Sequence, residues 1–180
     1  MKPGENKEYW LRGSVPGIAH WLQPAAHAIL QAREEVNALM ATFPEDLLWQ
    51  SPAGVASPGF HLQHLAGVLD RLLTYARDQA LSPLQLKDLA REGTPSKGQA
   101  TVAELLNRFS IQVDKALDQI AQTSEAELAD IRYVGRQRLP STVGGLLFHA
   151  AEHSQRHTGQ LLVTVRVLQA AAFPGNPYEK

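Results

Sequence analysis

Residues 148–162 read FHAAEHSQRHTGQLL and place His149, His153 and His157 four residues apart. On an α-helix a step of four advances about 6 Å and turns the chain by about 40°, so neighbours in that series stand one above the other on nearly one face. Two imidazoles so related can share one metal ion, which is why zinc enzymes use helical His pairs at i and i+4. His149 and His157 stand about 12 Å apart along the axis and cannot share an ion on a straight helix. The stretch therefore offers either His149/His153 or His153/His157, and His153 belongs to both.

A third donor has to come from elsewhere in the chain. The best candidates are His61 and His64 in GFHLQHLAGVLDRLL, residues 59–73, near the start of a strongly apolar helical segment. Helix bundles build metal sites from side chains on facing helices, so two such segments can meet. His20 and His27 have no partner at ligand spacing and read as hydrogen-bonded boundary residues. His149-Ala-Ala-Glu152-His153 also matches H-x-x-E-H, in which both His bind zinc and Glu is the base of an inverted metalloprotease. With three fixed positions in five the pattern is weak, and those enzymes have a much larger catalytic domain.

Working outward, the sequence reads as four long helices. Residues 1–19, rich in Gly and Pro, read as an extended arm that Trp10, Leu11, Ile18 and Trp21 pin to the body. Pro24 suits a first helical turn, and Ala25, Ile29, Leu30, Val36, Leu39, Met40 and Phe43 follow at three- and four-residue spacing up to Pro44. Residues 44–57 read as a loop. Ser57-Pro58 opens the second helix, which carries His61 and His64 and should end near Ala80. Residues 81–99 read as a long connection holding a short helix around Leu84, Leu86 and Leu89. Thr101 and Glu104 form a capping box ahead of Val102, Leu105, Leu106, Phe109, Val113, Leu117 and Ile120. Ser124 and Glu127 repeat the box for a brief turn. Residues 130–141 look irregular, and no strand-like alternation is found anywhere. Their Arg132, Arg136 and Arg138 read as solvated surface charge, with anion holding as the alternative. The last long helix should start near Ser141 or Thr142 and run to about Ala172.

Composition narrows the function classes. A chain of 180 residues with 44% apolar content is long enough for one domain with a substantial core. Seventeen basic and 18 acidic residues with a pI near 6.7 argue against nucleic acid as a partner. With no cysteine, the metal donors left are His, Asp and Glu. No leader-like or membrane-length apolar run is seen, so a cytoplasmic protein without membrane contact is expected.

HSQRHTGQL, residues 153–161, resembles the His-x-x-x-His-x-Gly-Gln ending of the DinB superfamily. FHLQHLAGVLDRLL, residues 60–73, resembles that family's second-helix histidine segment. The likeness extends over about residues 20–170 and points to the DinB-like, YfiT-like branch of metal-dependent hydrolases. It implies an all-α four-helix bundle in up-down-down-up order, a single domain spanning 1–180 with the arm at 1–19. It also implies His64, His153 and His157 as ligands of a divalent metal ion, nickel or zinc ahead of manganese, iron or cobalt. His61, His149 and Gln160 then become neighbours of the site, while Glu152 points elsewhere. The expected activity is that of a hydrolase or a low-molecular-weight-thiol transferase acting on a small-molecule substrate, with metal-bound water or thiolate as the reacting group. A homodimer is implied as well. The alternatives are a non-catalytic metal- or ligand-binding stress-response protein and a structural module with satisfied histidines.

Overall fold

The computed structural model describes residues 7–95 and 100–172. Residues 1–6 of the expected arm and Gly98 of the long connection lie outside the described residues. The elements are α1 (Gln23–Met40), α2 (Pro58–Ala76), a short α3 (Pro83–Leu89), α4 (Val102–Gln122), β1 (Ile131–Val134), β2 (Leu139–Thr142) and α5 (Val143–Ala172). The long helices close a ring in which α1 packs on α5 and α4, and α2 packs on α5 and α4. No described helix is long and apolar enough to cross a membrane.

Local chemistry sets these boundaries. Ser57 Oγ accepts from Phe60 N at the start of α2, with Pro58 in the first turn. Thr101 and Glu104 exchange both bonds of a capping box ahead of α4. Along α4 the buried positions Leu105, Phe109, Val113, Ala116 and Ile120 fall on one stripe. They join Ile29, Val36 and Met40 of α1, Leu62, Leu65 and Leu69 of α2, and Leu147, Leu161 and Val165 of α5 in one core. α2 stops at Ala76, short of the expected Ala80, because Asp78 turns to φ 57° and its N–H closes back on Tyr75 O at 2.9 Å.

Two expectations are corrected. Residues 130–141 are not irregular: β1 and β2 pair antiparallel, with Ile131 opposite Thr142 and Val134 opposite Leu139. Each strand is four residues long with two exposed and two half-buried positions, too short to carry an apolar alternation that can be read. Arg132 Nε donates to Ala76 O at 2.9 Å and docks the hairpin on the end of α2, while Arg138 lies 4.3 Å above the Tyr133 ring. The second correction concerns the arm. Trp10 and Trp21 are 62% and 73% exposed, and Leu11 is also exposed; of the four expected anchors only Ile18 packs on the core. Hydrogen bonds hold the arm instead: Tyr9 N donates to Gln31 Oε1 at 2.8 Å, Gln23 brackets Val15 and Ile18, and Arg12 forks onto Glu34.

The loop before α2 is fixed by a close approach. Gly59 N donates to Leu48 O at 2.7 Å, and a Cβ at Gly59 would stand 2.5 Å from the Trp49 ring. Gly59→Ala is therefore expected to destabilise the fold by about 1–2 kcal/mol through overpacking, although Ala is the better helix former by about 1 kcal/mol. Urea denaturation of Gly59→Ala in native and Trp49→Ala backgrounds checks this, since the loss should vanish once the ring is gone.

Candidate metal centre

The contact between α2 and α5 brings the two histidine segments together. His61 and His64 project from the first two turns of α2; His153 and His157 project from α5. The Nε2 atoms of His64 and His153 are 2.9 Å apart, and the His64 and His157 ring centroids are 4.3 Å apart. One ring nitrogen from each of His64, His153 and His157 lies within 4.8 Å of the others. Nitrogens held 2.0–2.1 Å from a tetrahedral zinc stand about 3.4 Å apart, so a small opening of the His64–His153 pair would fit an ion. Phe60 stacks on the His64 ring at 5.3 Å and 10° and covers it.

Behind His64 stands a residue the sequence did not point to. Glu92 Oε2 lies 2.7 Å from His64 Nδ1, and Glu92 Oε1 accepts from Arg71 at 2.5 Å. Arg71 and Glu92 side chains are 10% and 9% exposed. Glu92 follows α3, whose Gln85 ties back to Asp70 and Thr74, and Gln63 clamps the next residue through Gly93 N at 2.8 Å. A Cβ at Gly67 would come within 2.5 Å of Glu92 Oε1 and 2.6 Å of Arg71, so Gly67 makes the room. The available signal was the row His64, Gly67 and Arg71, spaced three and four apart along an otherwise apolar helix face.

The family model of the DinB superfamily matches residues 28–161, a span that holds all four histidines of this cluster. The chain belongs to the DinB superfamily. A solved structure described as a conserved protein of locus from Enterococcus faecalis is similar in fold to this DinB chain, with a TM-score of 0.62 at 20% identity over 80% of this chain and 94% of that one. A comparison with curated proteins gives no match.

Electrostatics keep the cluster of this DinB chain rich in lone pairs. Burial, then the charges of His64, His153, His61 and Arg156, push His157 down to about 3. Burial and His64 likewise push His61 down to about 4. His153 is lowered by burial first, then by His64, His149 and Arg156. Burial drives Glu92 upward, but hydrogen bonds from His64 and Arg71 and their charges outweigh it, so its carboxyl sits below the usual range. An ionised Glu92 accepts from Nδ1–H of His64, and Nε2 is then the ring nitrogen that faces the cluster. His153 Nδ1 is buried without a hydrogen-bond partner among the described residues.

The remaining sequence candidates fall around this centre. His61 Nδ1 meets His157 Nδ1 at 3.1 Å. His149 is exposed and pairs with Glu152 at 3.2 Å, and these two with His153 form a second group of donors within 4.8 Å. Arg156 already occupies Glu152, which neutralises the only anionic donor of that group. Gln160 and Gly159 border an open cavity of about 540 Å³ beside His61; Gln160 makes no hydrogen bond to a described residue. His27 bonds Gly13 O at 3.0 Å and exposed His20 touches Trp21, both away from the cluster.

Two measurements follow that need no metal. Glu92→Gln should release His64 from its Nδ1–H tautomer, visible in the imidazole ¹⁵N shifts, and Gly67→Ala should do so in part; an unmoved His64 spectrum in both would detach Glu92 from it. For His61, a folded value of about 4 against 6.5 unfolded gives stability that is fully present above 6.5 and lost as the pH falls towards 4. Between about pH 7 and pH 5 the metal-free chain should lose roughly 4–7 °C more in Tm than His61→Leu does, read by thermal melts of both at each pH.

Proposed function

We propose that His64, His153 and His157 hold a divalent metal ion and that this chain is a metal-dependent enzyme of hydrolase or thiol-transferase type. The observation that carries the reading is the 2.9 Å approach of two Nε2 atoms from different helices, one of them oriented from behind by a buried carboxylate. Imidazoles packed this closely, two of them lowered in pKa chiefly by burial, are costly neighbours as cations and good ligands as neutral rings. Three protein ligands leave positions open, as catalytic sites do. Bound there, a nickel or zinc ion would supply Lewis acidity, polarising a carbonyl or lowering the pKa of a water or thiol.

The protein's own residues then have separate tasks. Glu92 and Arg71 hold the His64 ring. Phe60 keeps water off its face. His61 braces His157 and closes one end of the cavity in which a small-molecule substrate would sit. In this reading the ring of long helices is the four-helix bundle, up-down-down-up, expected of the superfamily. A second reading, a non-catalytic metal-binding protein, draws on Glu152: the carboxylate nearest on α5 is tied to Arg156 and His149 and is not free to act as a base.

Elemental analysis of untagged protein is expected to find about one metal per chain, lost in His153→Ala. Full occupancy in that variant would end the ligand assignment. Glu92→Gln should weaken metal binding by about 10- to 100-fold without removing a ligand. A screen of thiol-dependent transfer and ester or amide hydrolysis on metal-loaded protein separates the two readings: turnover that His157→Ala abolishes favours the enzyme.

A further inference from the structure

The cavity of about 540 Å³ beside the histidine cluster has the size of a small-molecule site, and its lining is unevenly distributed. Along α5 the cavity-facing positions are Arg156, Gly159, Gln160, Val163 and Thr164, spaced as one helix face about 12 Å long. Two polar members, Arg156 and Gln160, lie near His157 in sequence, and His61, which bonds His157 at 3.1 Å, joins them from α2. The other end is mostly apolar, with Val163 of α5 and with Val55 and Ala56 supplied by the loop before α2 beside the buried Thr164.

Charge in this cavity has one sign. No carboxylate is among the described residues that line it. Arg156 therefore supplies the formal charge of the lining. Its guanidinium uses one nitrogen on Glu152, is 53% exposed, and has five N–H donors in a fork suited to carboxylate. Gly159 adds space, since a Cβ built there meets nothing within 4 Å.

We infer that this cavity binds a small amphipathic anion, its carboxylate at Arg156 and Gln160 next to the histidine cluster and its apolar chain along Val163 towards Val55 and Ala56. The assignment of that anion as substrate rests on the metal-enzyme reading; its binding does not. Polar groups at one end and apolar ones at the other fix the direction in which the molecule enters, head towards His61. A neutral molecule of the same length fills the same space but gives the guanidinium donors not engaged by Glu152 no second carboxylate.

Isothermal titration of the full chain, stripped of metal, with octanoate, 1-octanol and octylamine tests this. Octanoate is expected to bind about three- to tenfold more tightly than octanol, the range for one charge-assisted contact at a half-exposed site, with octylamine weakest. Arg156→Gln should bring octanoate down to the octanol level and leave octanol unchanged. Gly159→Val, which fills open space and is no worse a helix former than Gly, should weaken both while the circular dichroism spectrum stays native. Amine preferred over carboxylate, an octanoate preference that survives Arg156→Gln, or no binding by any of the three overturns the proposal. Zinc loading is measured separately on the same preparation. A chain that binds octanoate but loads no zinc keeps the anion site and loses the metal reading, and one that loads zinc but binds no octanoate does the reverse.

Discussion

A carboxylate taken out of water must be paired or it will take up a proton, and much of this molecule is arranged around one such group. Glu92 is 9% exposed, and its two oxygens are engaged by Arg71 and His64. Arg71 is itself buried, so neither ion can lose the other without leaving an uncompensated charge inside the fold. The pair therefore fixes more than itself. It pins the connection after α3 against α2 and sets which nitrogen of His64 carries the proton. It also requires a glycine at position 67, where any Cβ would strike the Glu92 carboxylate.

That arrangement explains how a site on two helices depends on a segment belonging to neither. The α2–α5 packing supplies the approach of His64 to His153, but an imidazole on a helix can turn about its side-chain bonds. The Glu92 hydrogen bond on one nitrogen and the stacked Phe60 on the ring face remove that freedom. Orientation from behind is what separates a ligand-ready imidazole from one that merely lies nearby. The capping of α3 and its Gln85 ties to α2 matter to the site for the same reason, because they deliver Glu92.

What was legible in the sequence follows from the range over which each signal acts. The long helices could be read because their apolar stripes and caps are local and repeated: Ser57-Pro58 and Thr101-Glu104 stand where α2 and α4 begin. The four-residue spacing of His153 and His157 was legible for the same reason. The hairpin was not, since two four-residue strands with no buried position carry no apolar alternation, and they are held by backbone pairing and by Arg132 reaching Ala76 O. Trp10 and Trp21 were misleading in the opposite way. Large aromatics suggested anchors, whereas backbone and amide hydrogen bonds around Tyr9 and Gln23 hold the arm. Glu92 lay beyond reach because nothing in its own neighbourhood marks it; its meaning comes from Arg71 and His64, 21 and 28 residues away.

The sequence also left His153 shared between two pairs, and the structure keeps both groups of donors within one short span. Burial and charge decide between them. His149 is exposed, and the carboxylate of its group is already taken by Arg156, so a cation arriving there would have to displace a guanidinium. On the His64 side the Nε2 atoms of His64 and His153 face one another, and Arg71 is turned onto Glu92. Arg156 thus has two effects. By occupying Glu152 it weakens the exposed group of donors, and by lining the cavity it leaves guanidinium N–H donors free of Glu152 beside the buried group. The same helix turn that disfavours a metal ion at His149 favours an anion next to the site where the ion would bind.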